Sequence, residues 1–286
     1  MGRQLAAGLS AEGGDVLAHD VDPAAVARAA ELPGVAAADT LAALVAGSDV
    51  VILSLPNPRV VALVVEQLAA ALSGGGHTVT VLDTSTIDPD TARAAREALV
   101  AVGGEYADCP ILGRPESLGA WTIPVGGTSA VQQLAVECLA PVARAVVPLG
   151  EVGTAVTLKL LNNLMLGTIN AVTAEVLVLA AASGLDPGLF VDTVADSGAA
   201  SVSPLFKDAA ARAVDGDFDP VFTVALMHKD NALALDLADR LHVPVLAGRA
   251  AHTLNTWAIA AGYGDQDSIA VLKALEQATG HNARRH

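Results

Sequence analysis

An apolar stretch in the middle of this chain carries one lysine and several carboxamides at helical spacing. Residues 150–163 read Gly-Glu-Val-Gly-Thr-Ala-Val-Thr-Leu-Lys-Leu-Leu-Asn-Asn. At about 100° per residue, Lys159, Asn163 and Asn170 fall within about 40° of one another on one helix face. Leu158, Leu160, Leu161, Leu164, Met165 and Leu166 are expected to bury most of the remaining surface. An amine in that setting loses hydration, which lowers its pKa toward the range useful for proton transfer. The competing reading is that Lys159 extends its amine to water and the asparagines cap a loop. For an isolated lysine that is the commoner case.

Other chemistry-bearing residues fall where strands end. Asp20 closes the run Val16–Asp20, a position from which a carboxylate accepts hydrogen bonds from ribose hydroxyls, although turn chemistry alone explains an Asp there. Leu55-Pro56 and Asp83-Thr84-Ser85-Thr86 close two later runs. Thr86 is placed to touch a ligand; equally, Thr86 or Asp88 would cap the helix that starts near Pro89. Asp108-Cys109-Pro110-Ile111-Leu112-Gly113-Arg114-Pro115 follows, with Gly126-Gly127 beyond it. Proline and glycine fix that backbone so that N–H groups can meet a carboxylate, or they simply order a loop. Met227-His228-Lys229-Asp230-Asn231 is read as opening a late helix, with Lys229 either reaching a ligand or solvated.

The elements that must position these groups are legible as alternation. Residues 16–20, 49–54, 79–83 and 145–149 read as strands, and residues 1–9, 23–31, 39–46, 59–72, 89–102 and 129–139 as helices. This β-α order predicts a doubly wound parallel sheet, the α/β class. After residue 150 the strands stop, and 153–182, 187–196, 203–213, 228–241, 246–261 and 267–278 read as helices. The expected domains are 1–150, nucleotide-binding and Rossmann-like, and 151–286, all-α, for substrate binding and dimerisation.

Composition narrows the partners. The chain has 286 residues, 52% hydrophobic but only 3% aromatic, so its core is built from Ala, Val and Leu. Its net charge of −15 disfavours nucleic acid and anionic membranes. Residues 164–183 are long enough to span a bilayer, but Asn170 and Glu175 interrupt them, and a helix buried between domains or subunits fits better. The two cysteines show neither disulfide numbers nor metal-ligand spacing, and Cys109 reads as a buried filler rather than a nucleophile. The start of the chain does not read as a signal peptide. The expectation is a soluble, cytoplasmic, metal-free protein.

In this order, Met1-Gly2, Asp108 to Arg114, Gly150 to Asn163, Lys229-Asp230 and Asp267-Ser268 resemble the motifs of the β-hydroxyacid dehydrogenase family. That family includes 3-hydroxyisobutyrate dehydrogenase and tartronate semialdehyde reductase. The resemblance covers essentially the whole chain, and its specific part is the lysine-asparagine segment. It implies a Rossmann-like domain followed by a helical one, with NAD as cofactor in preference to NADP. It also implies a small 3-hydroxy acid or semialdehyde as substrate, and a homo-oligomer, dimer or tetramer. By position, Lys159 is the implied general acid/base and Asn163 the substrate-orienting amide. Gly2, Asp20, Leu55, Pro56, Thr86 and Lys229 are the implied cofactor contacts, and Leu112, Gly113 and Arg114 the implied substrate contacts.

Three departures accompany the likeness. The family's first strand and the start of its glycine-rich loop have no counterpart, so the expected sheet is N-terminally truncated. The natural gene is expected to extend upstream by about ten residues, encoding an apolar strand that ends in Gly-x-Gly. Leu112 stands where the family has serine and Arg114 where it has glycine; Ala155 replaces a glycine before the lysine. Imine reductases share the architecture but typically lack a lysine at this place, and 6-phosphogluconate dehydrogenase needs a much longer chain. The alternative to a working dehydrogenase is a non-catalytic or cofactor-impaired member, motivated by the incomplete phosphate loop.

Overall fold

A computed structural model of the chain describes residues 1–73, 77–199, 201 and 203–285. It divides into two compact units, Met1–Lys159 and Leu160–His286.

Three helix starts in the first unit, those of α2, α4 and α5, follow one local rule, a polar residue followed by proline. The Asp22 side chain accepts from Ala24 N at the head of α2 (Pro23–Ala30), and Asn57 accepts from Val60 N at the head of α4 (Pro58–Leu72). Asp88 accepts from Asp90 N and Thr91 N to start α5 (Pro89–Val100), so of the two candidate caps it is Asp88 that serves. Threonines do the same for α3 (Leu41–Ala46) and α6 (Ser129–Leu139). In each case the cap satisfies backbone donors that the helix itself leaves open. By contrast, α1 (Gly2–Ala11) has no side-chain cap.

Between these helices lie two sheets. β1 (Val16–Ala18) pairs in parallel with β2 (Val35–Ala37). The larger sheet runs in the order β3 (Val50–Leu53), β4 (Thr80–Asp83), β5 (Glu105–Asp108), β6 (Trp121–Gly126), β7 (Ala143–Gly150). Its neighbours are parallel except β5 and β6, which meet antiparallel at Asp108↔Gly126. The sheet is thus parallel-dominated, as the β-α order implied, with one antiparallel neighbour. The connection from β5 to β6 contains one short 3-10 turn, Pro115–Ser117, and no α-helix, so it cannot make the crossover that parallel neighbours need. One apolar cluster, with Val61, Leu68, Ile87 and Leu99, fills one side of this sheet. Another, with Trp121, Ile123, Leu139 and Val142, fills a second. Each such buried side chain contributes roughly 1.5–3 kcal/mol of burial.

The long helix α7 (Thr154–Ala182) runs through the division between the units. After it come α8 (Pro187–Asp196), α9 (Pro204–Asp215), α10 (Val224–Arg240), α11 (Leu246–Ala260) and α12 (Val271–Thr279). Their core contains Leu177, Val191, Ala213, Val224, Ile269 and Leu272. By length and composition α7 could cross a membrane, yet Asn163, Asn170 and Thr173 on it are buried among protein groups. The expected burial of its leucines is corrected: Leu160 is buried, but Leu161 is 55% and Met165 66% exposed. Those positions lie away from the amide-bearing face that the neighbouring helices cover.

Candidate active site

Candidate cofactor residues gather at the carboxyl ends of the strands in the first unit. α1 begins at Gly2 beside Ser54, which follows β3. With no side-chain cap, the first N–H groups of α1 have the charge and direction that suit a phosphate. Leu55 N donates to Ser85 Oγ at 2.9 Å, and Thr84 Oγ1 donates to Leu53 O at 2.6 Å. These bonds tie the ends of β3 and β4 together and place Leu55, Pro56 and the half-buried Thr86 along one edge. Asp20 lies two residues past β1, exposed, with Oδ1 accepting from Asp22 N at 2.9 Å. That is an Asx turn. The set fits a dinucleotide: an open helix N-terminus without a side chain at its first residue, and an exposed carboxylate beyond a neighbouring strand.

The Asp108–Arg114 segment leaves β5 and passes Lys159. Half-buried Lys159 donates from Nζ to Ile111 O at 2.8 Å. Leu112 N donates to Thr122 O and Thr122 N to Leu112 O, so that amide of the segment is already used. Gly113 has φ +154°, and a Cβ there would strike the Trp121 ring, so only glycine fits. Arg114 is exposed, and its carbonyl accepts from Trp121 Nε1 at 2.7 Å. Cys109 is fully buried and its thiol pKa is pushed well up by burial and by Asp108 and Asp83, which makes it an inert filler.

In the second unit the polar groups form a side-chain network. Asn163, buried, donates through Nδ2 to Asp230 Oδ2 at 2.5 Å and accepts from Asn162 Nδ2 at 3.1 Å. Asp230, also buried, holds Lys229 Nζ at 2.8 Å from Oδ1. Asn170 Nδ2 donates to Ser268 Oγ at 2.8 Å. The motif Met227–Asn231 lies within α10, which starts at Val224, so Lys229 is in the second turn and not at the helix start. Helix entry is set by Thr223, whose side chain accepts from Leu226 N.

Sequence reasoning passed over several groups. Asp83 and Tyr106 are buried and bonded, Tyr106 Oη donating to Asp83 Oδ2 at 2.9 Å. Asp108 accepts from Gly153 N at 3.0 Å and Val156 N at 2.9 Å, and so caps the head of α7. His228 and His252 stack with ring centres 4.2 Å apart. The carboxylates stood in the sequence at strand ends, but their partners lie 23 to 48 residues away. A cavity of about 430 Å³, lined by Arg93, Arg96, Glu97, Ser129, Gln132 and Glu151, contains none of the candidate residues.

Known proteins share this arrangement. Residues 1–150 match the NAD binding domain of 6-phosphogluconate dehydrogenase, and residues 153–275 match the NAD-binding domain of NADP-dependent 3-hydroxyisobutyrate dehydrogenase. The 2-(hydroxymethyl)glutarate dehydrogenase of Eubacterium barkeri is 31% identical, over 98% of this chain and 93% of that protein. The 3-sulfolactaldehyde reductase of Escherichia coli is 30% identical, over 99% and 95%. The structure of Mycobacterium tuberculosis 3-hydroxyisobutyrate dehydrogenase with L-serine superposes with a TM-score of 0.84 at 27% identity, covering 96% of this chain and 95% of that one. With both halves matched in order and relatives aligned from end to end, the chain belongs to the β-hydroxyacid dehydrogenase family of NAD(P)-dependent enzymes.

Proposed function

We propose that the protein moves hydride between NAD and a small 3-hydroxy acid or its semialdehyde, with Lys159 as general acid/base. One observation carries this reading: Lys159 Nζ is fixed against Ile111 O, on the segment that resembles the family's substrate loop. That contact fixes the position of the amine, and an amine so placed can exchange a proton with a substrate hydroxyl. In oxidation the neutral amine takes the hydroxyl proton; in reduction the ammonium returns it. Asn163, braced by Asp230, orients the reacting oxygen. When bound, the nicotinamide supplies the hydride acceptor or donor.

Leu112 offers no hydroxyl, and its amide is already paired, so a substrate carboxylate is left to the Gly113 N–H and the Arg114 guanidinium. Asp20 favours NAD because a carboxylate repels the extra phosphate of NADP. The proposed domain roles are nucleotide binding for 1–150, and substrate binding and self-association for 151–286. The exposed leucines and methionine of α7 support a homo-oligomer, and the acidic charge supports a cytoplasmic enzyme without nucleic-acid or membrane partners.

A second reading, a member that does not turn over, is favoured by the separation of the β1–β2 pair from the β3–β7 sheet. Fluorescence titration with NADH and with NADPH separates the two. Saturable binding together with reduction of a small 3-carbon or 4-carbon semialdehyde supports the enzyme; no binding of either nucleotide refutes it.

A further inference from the structure

We infer that Asp108 is a positioning residue for Lys159, acting by clamping the first turn of α7 to the end of β5. The inference rests on the proposed role of Lys159 and concerns what holds that amine in place.

Both ends of the arrangement are fixed to one short stretch of chain. The Asp108 carboxylate spans two backbone donors at the entry to α7, with Oδ1 3.0 Å from Gly153 N just before the helix and Oδ2 2.9 Å from Val156 N in its first turn. Three residues on from Asp108, the Ile111 carbonyl accepts from Lys159 Nζ at 2.8 Å. Lys159 is three residues on from Val156, less than one turn along the helix. The four-residue stretch from Asp108 to Ile111 therefore sets both the height of α7 and the position of its amine. A slip of the helix start would move the lysine with it, and a misplacement of about 1 Å at a reacting group can cost roughly 100-fold in rate.

The surroundings are built for this contact. Asp108 is fully buried, and Gly126 across the sheet has no side chain. A Cβ at Gly126 would lie 2.4 Å from Asp108 Oδ1 and 2.8 Å from the Glu151 carbonyl. Glycine at 126 is what lets the carboxylate, β6 and the entry to α7 meet. The Val156 and Gly153 amides are donors that α7 cannot satisfy internally, so the carboxylate also removes a helix-end cost.

Ionisation is what gives the clamp two acceptors. The titratable groups around it are Asp83 on β4, Tyr106 on β5 and Cys109 next in the chain; α7 faces it with N–H groups and carries Lys159 one turn further. Burial, opposed by the two N–H bonds, pushes the Asp108 carboxyl up to about 6, and the charge of Asp83 adds to the rise. Above that pH the carboxylate grips both amides. Below it, one oxygen becomes a hydroxyl facing an N–H, and the grip is halved.

The test uses the full chain with bound NAD. Asp108→Asn keeps the size but turns one acceptor into a donor against the helix amides. We expect kcat near pH 7.5 to fall roughly 10-fold or more, KM for NAD to stay within about twofold, and the acid limb of kcat near pH 6 to disappear. Asp108→Glu, which restores two acceptors, should recover part of kcat and the limb. Lys159→Ala is run beside them. If Lys159→Ala turns over near normally, the role given to Lys159 fails and this inference with it. If Lys159→Ala is inactive while Asp108→Asn keeps wild-type kcat and its acid limb, the positioning role alone is overturned. Should Asp108→Asn fail to fold, hydrogen exchange in the unmodified protein decides. At pH 7.5 the Gly153 and Val156 amides, which donate to the carboxylate, should exchange far more slowly than their intrinsic rates, and exchange at the intrinsic rate overturns the clamp.

Discussion

Asp108 in the first unit and Asp230 in the second are both buried carboxylates on or beside helices that carry candidate site residues, yet they are held differently. Asp108 is held by two main-chain N–H groups at the head of α7, Gly153 just before it and Val156 within its first turn. Asp230 is held by side chains, the Lys229 ammonium at 2.8 Å and the Asn163 amide at 2.5 Å. A backbone donor moves only if its helix unwinds, whereas a side-chain donor can leave by rotating a χ angle. The first unit thus fixes its amine by geometry, and the second holds its amide by a network that can rearrange. Spare capacity points the same way: among the described residues, Asn231, with no exposed surface, finds no partner for either amide atom, nor do Asn170 Oδ1 and Asn255 Nδ2. Each such atom costs roughly 1–3 kcal/mol. In the first unit the buried carboxylates Asp83 and Asp108 instead both have donors.

The contrast can be broken at its functional end first. Lys159→Ala should lower kcat by about 100-fold or more, which is the usual scale for losing a proton-transfer group. NADH affinity, read by fluorescence, should be unchanged; near-normal turnover would falsify the catalytic assignment.

A break in the second unit should show in stability rather than chemistry alone. Asp230→Ala leaves Asn163 buried without that acceptor and removes the carboxylate beside Lys229. We expect a loss of about 3 kcal/mol in urea unfolding. Asp230→Asn should lose less, because it retains an acceptor for Asn163. Equal losses for the two variants would mean that the network carries no more than packing.

Acid should separate the two carboxylates. Asp108 has its carboxyl raised from the ordinary 3.8 to about 6 in the folded protein. The native state therefore holds that proton more tightly than the unfolded chain. The resulting stabilisation is complete below about pH 4 and is lost as the pH rises through about 6. Its size is about 3 kcal/mol, and burial raises Asp83 in the same direction. Urea unfolding of wild type and Asp108→Asn at pH 4.5, 6 and 7.5 isolates this contribution. The pH dependence should be shallower in the variant, and parallel curves would show that Asp108 does not titrate in this window.

The smallest effect is expected at the exposed edge. Asp20→Ala should raise KM for NAD roughly 10-fold, the scale of hydrogen bonds to a charged group, and should raise KM for NADP much less. Equal changes for both cofactors would leave Asp20 as a turn residue only.

Much of the architecture was legible because helix starts are local chemistry. The pairs Asp22-Pro23, Asn57-Pro58, Asp88-Pro89, Asp186-Pro187 and Ser203-Pro204 each carry the acceptor that satisfies the first turn, and each does cap a helix. The strands Val16–Ala18, Val50–Leu53 and Thr80–Asp83 were visible as short apolar runs. Three others were not. β2 is Val-Ala-Ala, β5 is Glu-Tyr-Ala-Asp, and β6 contains Pro124. The first two lack the composition of a strand, and in β6 the proline interrupts an otherwise strand-forming run. β5 exists because β4 pairs along its length. β6 tolerates its proline because it meets β5 at a single pair, leaving no ladder on that side for Pro124 to break.

Residue types and helical spacing were enough to choose Lys159 and Asn163, since one helix turn is a local rule that needs no partner. What they bond to was a matter of tertiary structure. Ile111 lies 48 residues before Lys159, and Asp230 lies 67 residues after Asn163. Nothing in the run Glu-Tyr-Ala-Asp marks its last residue as the cap of a helix that begins 46 residues later. That role exists because β5 ends beside the start of α7 and Gly126 leaves room for the carboxylate between them. Local spacing could nominate the groups, but a buried charge finds its donors only where the chain returns in space, and those donors set whether it ionises.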